Sequence, residues 1–223
     1  MALETFDLYD VLTDVIPGII FQVLLVVLFV PPEFLKADDY IFGTSGIVLL
    51  VIVTGYVLGR LVRNVSLFEK ILKDYFDSVL SNILEGYPVN LPASTIHEFK
   101  TILRGENFYL LYTKITRKQV KQWGYSKLYG RTTLYHKYTI ISEFYYSMSK
   151  VFTISSIIYT PIIFLDIKQP PLSANQTYLI VIMLLVLGII CWTQHRKFSE
   201  RRAIAFVNDL VTLHNEESKK TAG

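Results

Sequence analysis

Four apolar runs, each close to the length that crosses a bilayer as a helix, constrain this chain more than any other feature. About 17 to 25 apolar residues match the ~30 Å hydrocarbon core of a membrane. The mean hydropathy of +0.38 is too high for an ordinary soluble domain. The sequence therefore predicts an all-α, polytopic membrane protein with four transmembrane helices and a helical cytoplasmic layer. The predicted spans are residues 11–30, 43–62, 151–167 and 177–194.

The basic residues are distributed unevenly about these runs. Of the 22 Lys and Arg residues, only Lys36 and Lys168 lie in the two short connections, residues 31–42 and 168–176. Cytoplasmic loops carry the excess of positive residues. We therefore expect an integral protein of the inner (cell) membrane with both termini and residues 64–150 in the cytoplasm. No Lys or Arg precedes Lys36, so a cleavable signal peptide, which starts with a basic region, is not expected.

The runs divide the chain into two transmembrane hairpins and two cytoplasmic parts. The hairpins are residues 1–63 and 151–194, and the cytoplasmic parts are residues 64–150 and 195–223. In both cytoplasmic parts the apolar residues recur at helical spacing. The predicted cytoplasmic helices are residues 66–84, 95–104, 107–123, a helix from residue 131 that continues into the third span, and an amphipathic helix over residues 195–215.

Capping and turn residues predict where some of these helices begin and end. Thr95 and Glu98 match a capping box at the start of the second cytoplasmic helix. Gly86 predicts the end of the first. Residues 216–223 are polar and are expected to be frayed.

Acidic residues gather where the first run begins. Asp7, Asp10 and Asp14 recur at steps of three and four, so they share one face of a regular helix. Arg60 and Arg63 lie where the second run ends. Because a short connection joins the two runs, we expect antiparallel neighbours with these opposite charges at one depth. The pattern predicts structural ion pairs; a proton or cation pathway is the alternative.

The second run contains Gly55 and Gly59, one helical turn apart. Two small residues at this spacing let helix backbones approach closely, so they predict tight packing within the chain or between subunits. The helix predicted over residues 66–84 has a wide apolar face, and exposed apolar surface of that kind marks interfaces. We therefore expect a homo-oligomer with the second span near its symmetry axis.

The segment before the third span is rich in basic and aromatic residues. Residues 107–142 contain no Asp or Glu. Basic juxtamembrane residues bind the anionic headgroups of the lipid bilayer, and aromatic side chains anchor at its interface. The alternative is an anion-binding surface for a nucleotide, a nucleic acid or an acidic protein partner. The residues concerned are Lys114, Arg117, Lys118, Lys121, Trp123, Lys127, Arg131 and Lys137.

Patterns typical of enzymes are missing from the sequence. The four histidines are scattered, and His97-Glu98 has no second His four residues on, so no zinc motif forms. Neither a glycine-rich phosphate loop nor a Gly-x-Ser-x-Gly turn occurs. The single Cys191 excludes an intramolecular disulfide. We expect a non-enzymatic protein with no metal and no cofactor.

The chain resembles a broad group of uncharacterised prokaryotic membrane proteins in three short stretches. These are YDVLTDVIPGIIF in the first span, GYVLGRLVRNVS at the end of the second and YHKYTIISEFYYSMSKVF before the third. The shared pattern is an Asp-led Ile-Pro-Gly start, a Gly-rich second span and an aromatic cytoplasmic helix. Some members lie in antiviral defence loci, so the resemblance implies a membrane sensor or effector. Residues 87–129 carry no part of it.

We interpret the chain as a non-enzymatic membrane scaffold, sensor or effector that oligomerises and engages a cytoplasmic partner. A small channel or pore is the alternative, and it would need a polar stripe along the spans. The polar residues available for such a stripe are Gln22, Thr44, Ser45, Thr54, Thr153, Ser155, Ser156 and Thr160.

Cysteine labelling in intact cells tests the predicted orientation. A membrane-impermeant thiol reagent applied outside should react with cysteines introduced near Asp38 or Ser173, because both lie in the outer connections. A cysteine at Ser126 should react only after the membrane is opened. Labelling at position 126 in intact cells would contradict the topology.

Overall fold

The computed structural model describes residues 8–29, 44–65, 75–106, 108, 114–131, 133–164 and 174–221. Every secondary-structure element within these residues is a helix, which confirms the predicted all-α class. In chain order they are α1 (Leu8–Asp10), a π-helical turn (Val11–Val15), α2 (Ile16–Phe29), α3 (Thr44–Asn64), α4 (Tyr75–Glu85), α5 (Ala93–Gly105), α6 (Lys114–Leu128), α7 (Leu134–Phe164) and α8 (Ala174–Thr221).

The chain forms two units. The first unit comprises Met1–Ile71 and Glu143–His195, and the second comprises Leu72–Ser142 and Arg196–Gly223. Helices α7 and α8 contribute residues to both units without a break. Both predicted hairpins fall in the first unit, and most of the predicted cytoplasmic residues fall in the second.

A π-helical turn shapes the start of the first unit. The N–H of Ile16 donates to the carbonyl of Val11, five residues back, so the backbone is wider here than in an α-helix. Three consecutive residues, Thr13, Asp14 and Val15, are buried in this turn. A regular α-helix rotates by about 100° per residue and would turn part of such a run toward the surface.

Helices α2 and α3 pack with their backbones in contact at glycine residues. A Cβ atom added to Gly18 would lie 1.7 Å from the carbonyl oxygen of Gly55. One added to Gly59 would lie 1.8 Å from the carbonyl oxygen of Asp14. Only a hydrogen atom fits at these positions. Gly55 and Gly59 therefore serve tight packing within the chain, against its own first helices.

This packing bears on the predicted homo-oligomer. Because Gly59 faces Asp14 of the same chain, it is not available to a second subunit. The apolar face predicted over residues 66–84 is also used internally where it is described, since Phe76 and Leu80 are fully buried. Residues 66–74 lie outside the described residues. The oligomer stays a prediction, and neither of its two sequence arguments gains support.

The two units differ in what they bury and what they expose. The first unit exposes large apolar side chains along α2, α3 and α8 and buries polar ones. Among the exposed large apolar residues of the described ranges, only Tyr87, Tyr129 and Leu134 belong to the second unit. A water-soluble unit has the opposite distribution from the first unit. The buried polar residues of the first unit are Thr13, Asp14, Ser147, Ser149, Lys150, Ser155, Ser156, Thr177 and His195.

Helix α8 has 48 residues and is therefore about 72 Å long at ~1.5 Å per residue. Within the described ranges it is the one helix that is long and apolar enough, by length and composition, to cross a membrane. Val11–Val27 forms a shorter apolar stretch. The composition of α8 points to association with a membrane.

The second unit has an apolar core centred on Phe206 of α8. Its ring packs edge-on against Phe76 of α4 and Tyr125 of α6, with centroid distances of 5.7 and 5.8 Å. Gly124 makes room for this ring, since a Cβ there would lie 2.2 Å from its Cζ atom. Other buried members of the core include Leu80, Ile83, Phe99, Leu103, Val120, Ala203 and Val207.

Two of the predicted helix boundaries are confirmed. Helix α4 ends at Glu85, and Gly86 follows with a φ of +86° and donates its N–H to the carbonyl of Asn82. Glycine is favoured there because other residues rarely adopt positive φ. Helix α7 runs unbroken from Leu134 to Phe164, as predicted for the helix that continues into the third span.

Two other predictions of helix ends are wrong. The capping box of Thr95 and Glu98 does not form, because α5 begins at Ala93, directly after a proline that is compatible with a helix start. Glu98 instead accepts a hydrogen bond from the amide of Asn215 at 2.7 Å. The prediction that the C-terminal residues are frayed is wrong as well, because α8 stays helical to Thr221.

Replacement of Gly59 by Ala should destabilise the first unit, because the new methyl group would overlap the backbone of Asp14. Overpacking costs about 1–3 kcal/mol, which lowers the melting temperature by several degrees in a chain of this length. Gly105→Ala is the matched control, since a Cβ there has nothing within 4 Å. Thermal unfolding in detergent should separate the two variants. Equal melting temperatures would contradict the described helix crossing.

Candidate functional site

The carboxylate of Asp14 is fully buried in the first unit and is held by two guanidinium groups from α3. Arg60 Nη1 donates to Asp14 Oδ2 at 3.2 Å, and Arg63 Nη1 donates to Asp14 Oδ1 at 3.3 Å. The side chain of Asp14 has no exposed surface, whereas those of Arg63 and Arg60 are 24% and 52% exposed. A buried carboxylate requires such partners because its desolvation is costly. Arg63 is the better shielded of the two.

Arg63 is itself held by side chains from the chain's first turns. Its Nη2 donates to the hydroxyl of Tyr9 at 2.6 Å, and its Nη1 lies 3.4 Å from the hydroxyl of Thr13. Burial raises the pKa of Tyr9, and the nearby Glu143 carboxylate raises it further. The Tyr9 hydroxyl therefore stays neutral at physiological pH and acts as an acceptor for the guanidinium.

Helix α7 adds a third cation, Lys150, which is 1% exposed. Its Nζ donates to the backbone carbonyl of Arg63 at 2.6 Å and lies 4.3 Å from the ring centre of Tyr146. The ring of His195, from α8, lies 5.0 Å from the same tyrosine ring. Lys150 thus caps the carbonyl end of α3, where the helix macrodipole is negative. We call Tyr9, Thr13, Asp14, Arg60, Arg63, Glu143, Tyr146, Lys150 and His195 the ion cluster.

The predicted acidic stripe contributes one residue to the ion cluster. Asp14 joins it, whereas Asp10 is half-buried and forms no ion pair with any described residue. Asp10 lies about one turn before Asp14, and both guanidinium groups of α3 are already engaged by the Asp14 carboxylate. Asp7 lies outside the described residues.

Four residues of the predicted basic surface find partners inside the second unit. Ion pairs hold three of them, and a hydroxyl accepts from the fourth. Such pairing neutralises much of the charge that an anionic ligand would need. The pairs and their distances are Lys121–Asp77 (2.5 Å), Lys127–Glu106 (3.7 Å), Arg131–Glu217 (3.8 Å) and Arg117–Ser81 (2.9 Å).

Two other basic residues of this segment remain at the surface. Lys118 and Lys137 are exposed and form no ion pair with a described residue. The side chain of Lys114 lies outside the described residues. Lys118 and Lys137 are therefore the exposed cations of the set that have no ion pair with a described residue.

Three aromatic residues of the same segment, Trp123, Tyr125 and Tyr135, pack against the core of the second unit. The ring of Trp123 packs edge-on against Phe108 at 5.7 Å. Tyr125 and Tyr135 stack on each other at 5.6 Å, and both pack against Phe206. These contacts account for the aromatic spacing without a stacked base or a membrane anchor.

Three of the eight polar residues that a pore would need are bonded to their own helices. The hydroxyls of Thr54, Thr153 and Thr160 donate to carbonyls four residues earlier, at 2.7–2.8 Å. Thr54 also contacts the side-chain amide of Gln22. Hydroxyls that bond back to their helix need no water to satisfy them. This arrangement does not favour the pore over the scaffold.

Sequence reasoning missed the part of the ion cluster that α7 and α8 supply. Lys150 directly precedes the third predicted span, where the pattern fits an exposed cytoplasmic lysine equally well. The available signal was the pair of small residues beside it, Ser147 and Ser149, both of which are buried. Ser149 marks the side on which α8 approaches, since its hydroxyl donates to the carbonyl of Gly188 at 3.2 Å.

The ion cluster is suited to hold helices together. Both oxygens of Asp14 accept hydrogen bonds from guanidinium groups, and its side chain has no exposed surface, so the carboxylate is occupied and out of reach of a substrate. The cluster joins the π-helical turn, α3 and α7 through charged hydrogen bonds, which are stronger than neutral ones. Comparison with protein-family models, with curated proteins and with solved structures finds no match for this chain.

Asp14→Asn should destabilise the first unit, because it leaves the guanidinium groups of α3 without their anion. Loss of one partner of a buried pair costs about 3 kcal/mol or more. Arg63→Gln should cost a similar amount, and the double variant should recover part of the loss in a double-mutant cycle. Asp10→Asn is the matched control and should leave the melting temperature in detergent nearly unchanged. Additive losses in the double variant, or an equal loss for Asp10→Asn, would contradict the described cluster.

Proposed function

We propose that this chain is a four-span integral membrane protein of the inner membrane with both termini in the cytoplasm. Its second unit forms a cytoplasmic helical platform, and it acts as a non-enzymatic scaffold, sensor or effector. The observation that carries the proposal is the contrast between the two units. The first exposes many large apolar side chains and buries several polar ones, whereas the second packs most of its large apolar side chains in a core.

The exposed face of α8 illustrates this contrast. Leu179, Ile182, Val186 and Ile189 are 49–69% exposed, although water disfavours such side chains. Leu184, on the opposite side, is 1% exposed. The hydrocarbon of a bilayer removes the free-energy cost of exposing these four side chains to water, because lipid tails are as apolar as leucine.

A water-soluble assembly of several copies could also cover apolar surface. Its subunits would be expected to keep an apolar interior, however, whereas the first unit buries the Asp14 carboxylate and the Lys150 ammonium. Ionisable residues that face the interior of a bundle, paired with one another, are typical of membrane proteins. This combination favours lipid over protein as the covering phase.

The ion cluster supports the proposed orientation. Asp14 lies near the start of the first predicted span, and Arg60 and Arg63 lie at the end of the second. Their contact brings these two ends together, as an antiparallel hairpin requires. The excess of Lys and Arg beyond the same ends favours the cytoplasmic side.

The second unit is the part that would engage a cytoplasmic protein. Lys118 and Lys137 offer exposed positive charge there, and Tyr129 is 90% exposed. Exposed aromatic and basic residues are enriched where proteins bind one another. A homo-oligomer stays a prediction of this account, and a role in antiviral defence is implied by the resemblance alone.

Val186→Lys tests the membrane proposal directly. A lysine near the centre of a span costs about 3 kcal/mol of insertion free energy, whereas an exposed change in a soluble protein stays within about 0.5 kcal/mol. The variant should therefore be depleted from the carbonate-resistant membrane fraction. Thr212→Lys, at an exposed position of α8 in the second unit, is the matched control and should remain there. Equal membrane yields for the two variants would contradict the proposal.

A further inference from the structure

The ion cluster contains more cations than carboxylates. Arg60 and Arg63 share Asp14, and Lys150 donates to a backbone carbonyl. Glu143 is close enough to act on Arg63 electrostatically, so three cations face two carboxylates. The cluster therefore carries a net positive charge, and an additional anion would neutralise it.

Arg60 is the one cation of the cluster with a largely accessible side chain. It is 52% exposed, and its contact with Asp14 uses one nitrogen, Nη1. A guanidinium has five N–H donors in a planar fork. Most of the donors of Arg60 are therefore available to a second anion, whereas Arg63 is also engaged by Tyr9.

An exposed apolar row on α3 leads to Arg60. Val53, Val57 and Leu61 are 50–60% exposed and recur at steps of four, so they share one side of the helix. Arg60 lies three residues after Val57 and seven after Val53, and it therefore borders the same side. The row ends at Leu61, and Asn64, also exposed, follows it. Arg60 thus lies where an apolar surface gives way to a polar one.

We propose that Arg60 binds the phosphate of an anionic phospholipid headgroup, with an acyl chain of the same lipid lying along Val57 and Val53. The inference rests on the proposed membrane location and adds a ligand class to it. Guanidinium and phosphate match in geometry, since two parallel N–H groups reach two phosphate oxygens. The lipid supplies both the anion that the cluster lacks and the apolar partner that the row lacks.

Native mass spectrometry of the full chain in mild detergent tests the assignment. The probes are phosphatidylglycerol, diacylglycerol with the same acyl chains, and inorganic phosphate. The wild type should retain phosphatidylglycerol, bind diacylglycerol weakly and gain nothing from inorganic phosphate. Arg60→Gln should raise the apparent Kd for phosphatidylglycerol about tenfold, as expected for a lost charge-assisted hydrogen bond. Arg60→Lys should restore part of the affinity, because lysine keeps the charge but loses the fork.

Lys118→Gln is the matched control, since it removes an exposed cation of the second unit. It should leave the apparent Kd unchanged, and an equal loss would overturn the site in favour of general surface charge. Equal binding of diacylglycerol, saturation by inorganic phosphate, or wild-type affinity in Arg60→Gln would each overturn the assignment. If the chain remains in the membrane fraction while Arg60→Gln binds as the wild type does, the lipid site fails and the membrane proposal stands.

Discussion

A single buried carboxylate, Asp14, sets the arrangement of the first unit. Its charge can be buried only because Arg60 and Arg63 reach it, and they reach it because Gly18, Gly55 and Gly59 let the helix backbones touch. On the other side of the contact, Asp14 lies in the π-helical turn, buried beside Thr13. Burial of the Asp14 charge and the close approach of the glycine residues therefore depend on each other.

The same constraint explains why the chain holds two units of opposite character. The first unit keeps two small apolar clusters, around Phe21 and Leu184, beside its buried ions, and many of its other apolar side chains lie outside, where lipid can cover them. The second unit packs around Phe206 in the manner of a soluble domain. Helices α7 and α8 supply residues to both units, so packing in one unit and packing in the other depend on the same two helices.

Sequence reasoning reaches the parts of this architecture that depend on local pattern. Pairing of Asp14 with Arg60 and Arg63 is predictable, because opposite charges at matching ends of neighbouring apolar helices share a depth. Asp10 is misplaced because the spacing gives it the same face as Asp14 and does not show which of the two carboxylates the guanidinium groups of α3 reach. Lys150 is missed because its burial depends on the Arg63 carbonyl and on Tyr146, which only tertiary structure brings near it. The basic and aromatic segment is ambiguous for a similar reason: its spacing fits a membrane interface, a nucleic-acid surface and a helical core alike. Tertiary structure adds that Tyr125 and Tyr135 pack against Phe206.

The chain carries one tryptophan in each unit, and this allows a direct test of the claim that lipid covers the first unit alone. Trp192 lies in α8 within the first unit, and Trp123 lies in α6 within the second. Trp123→Phe and Trp192→Phe leave one fluorophore each, and both proteins would be reconstituted into vesicles that contain phospholipids brominated on their acyl chains. Our account predicts strong bromine quenching of Trp192 and little quenching of Trp123. Equal quenching of the two residues, or quenching of Trp123 alone, would contradict it.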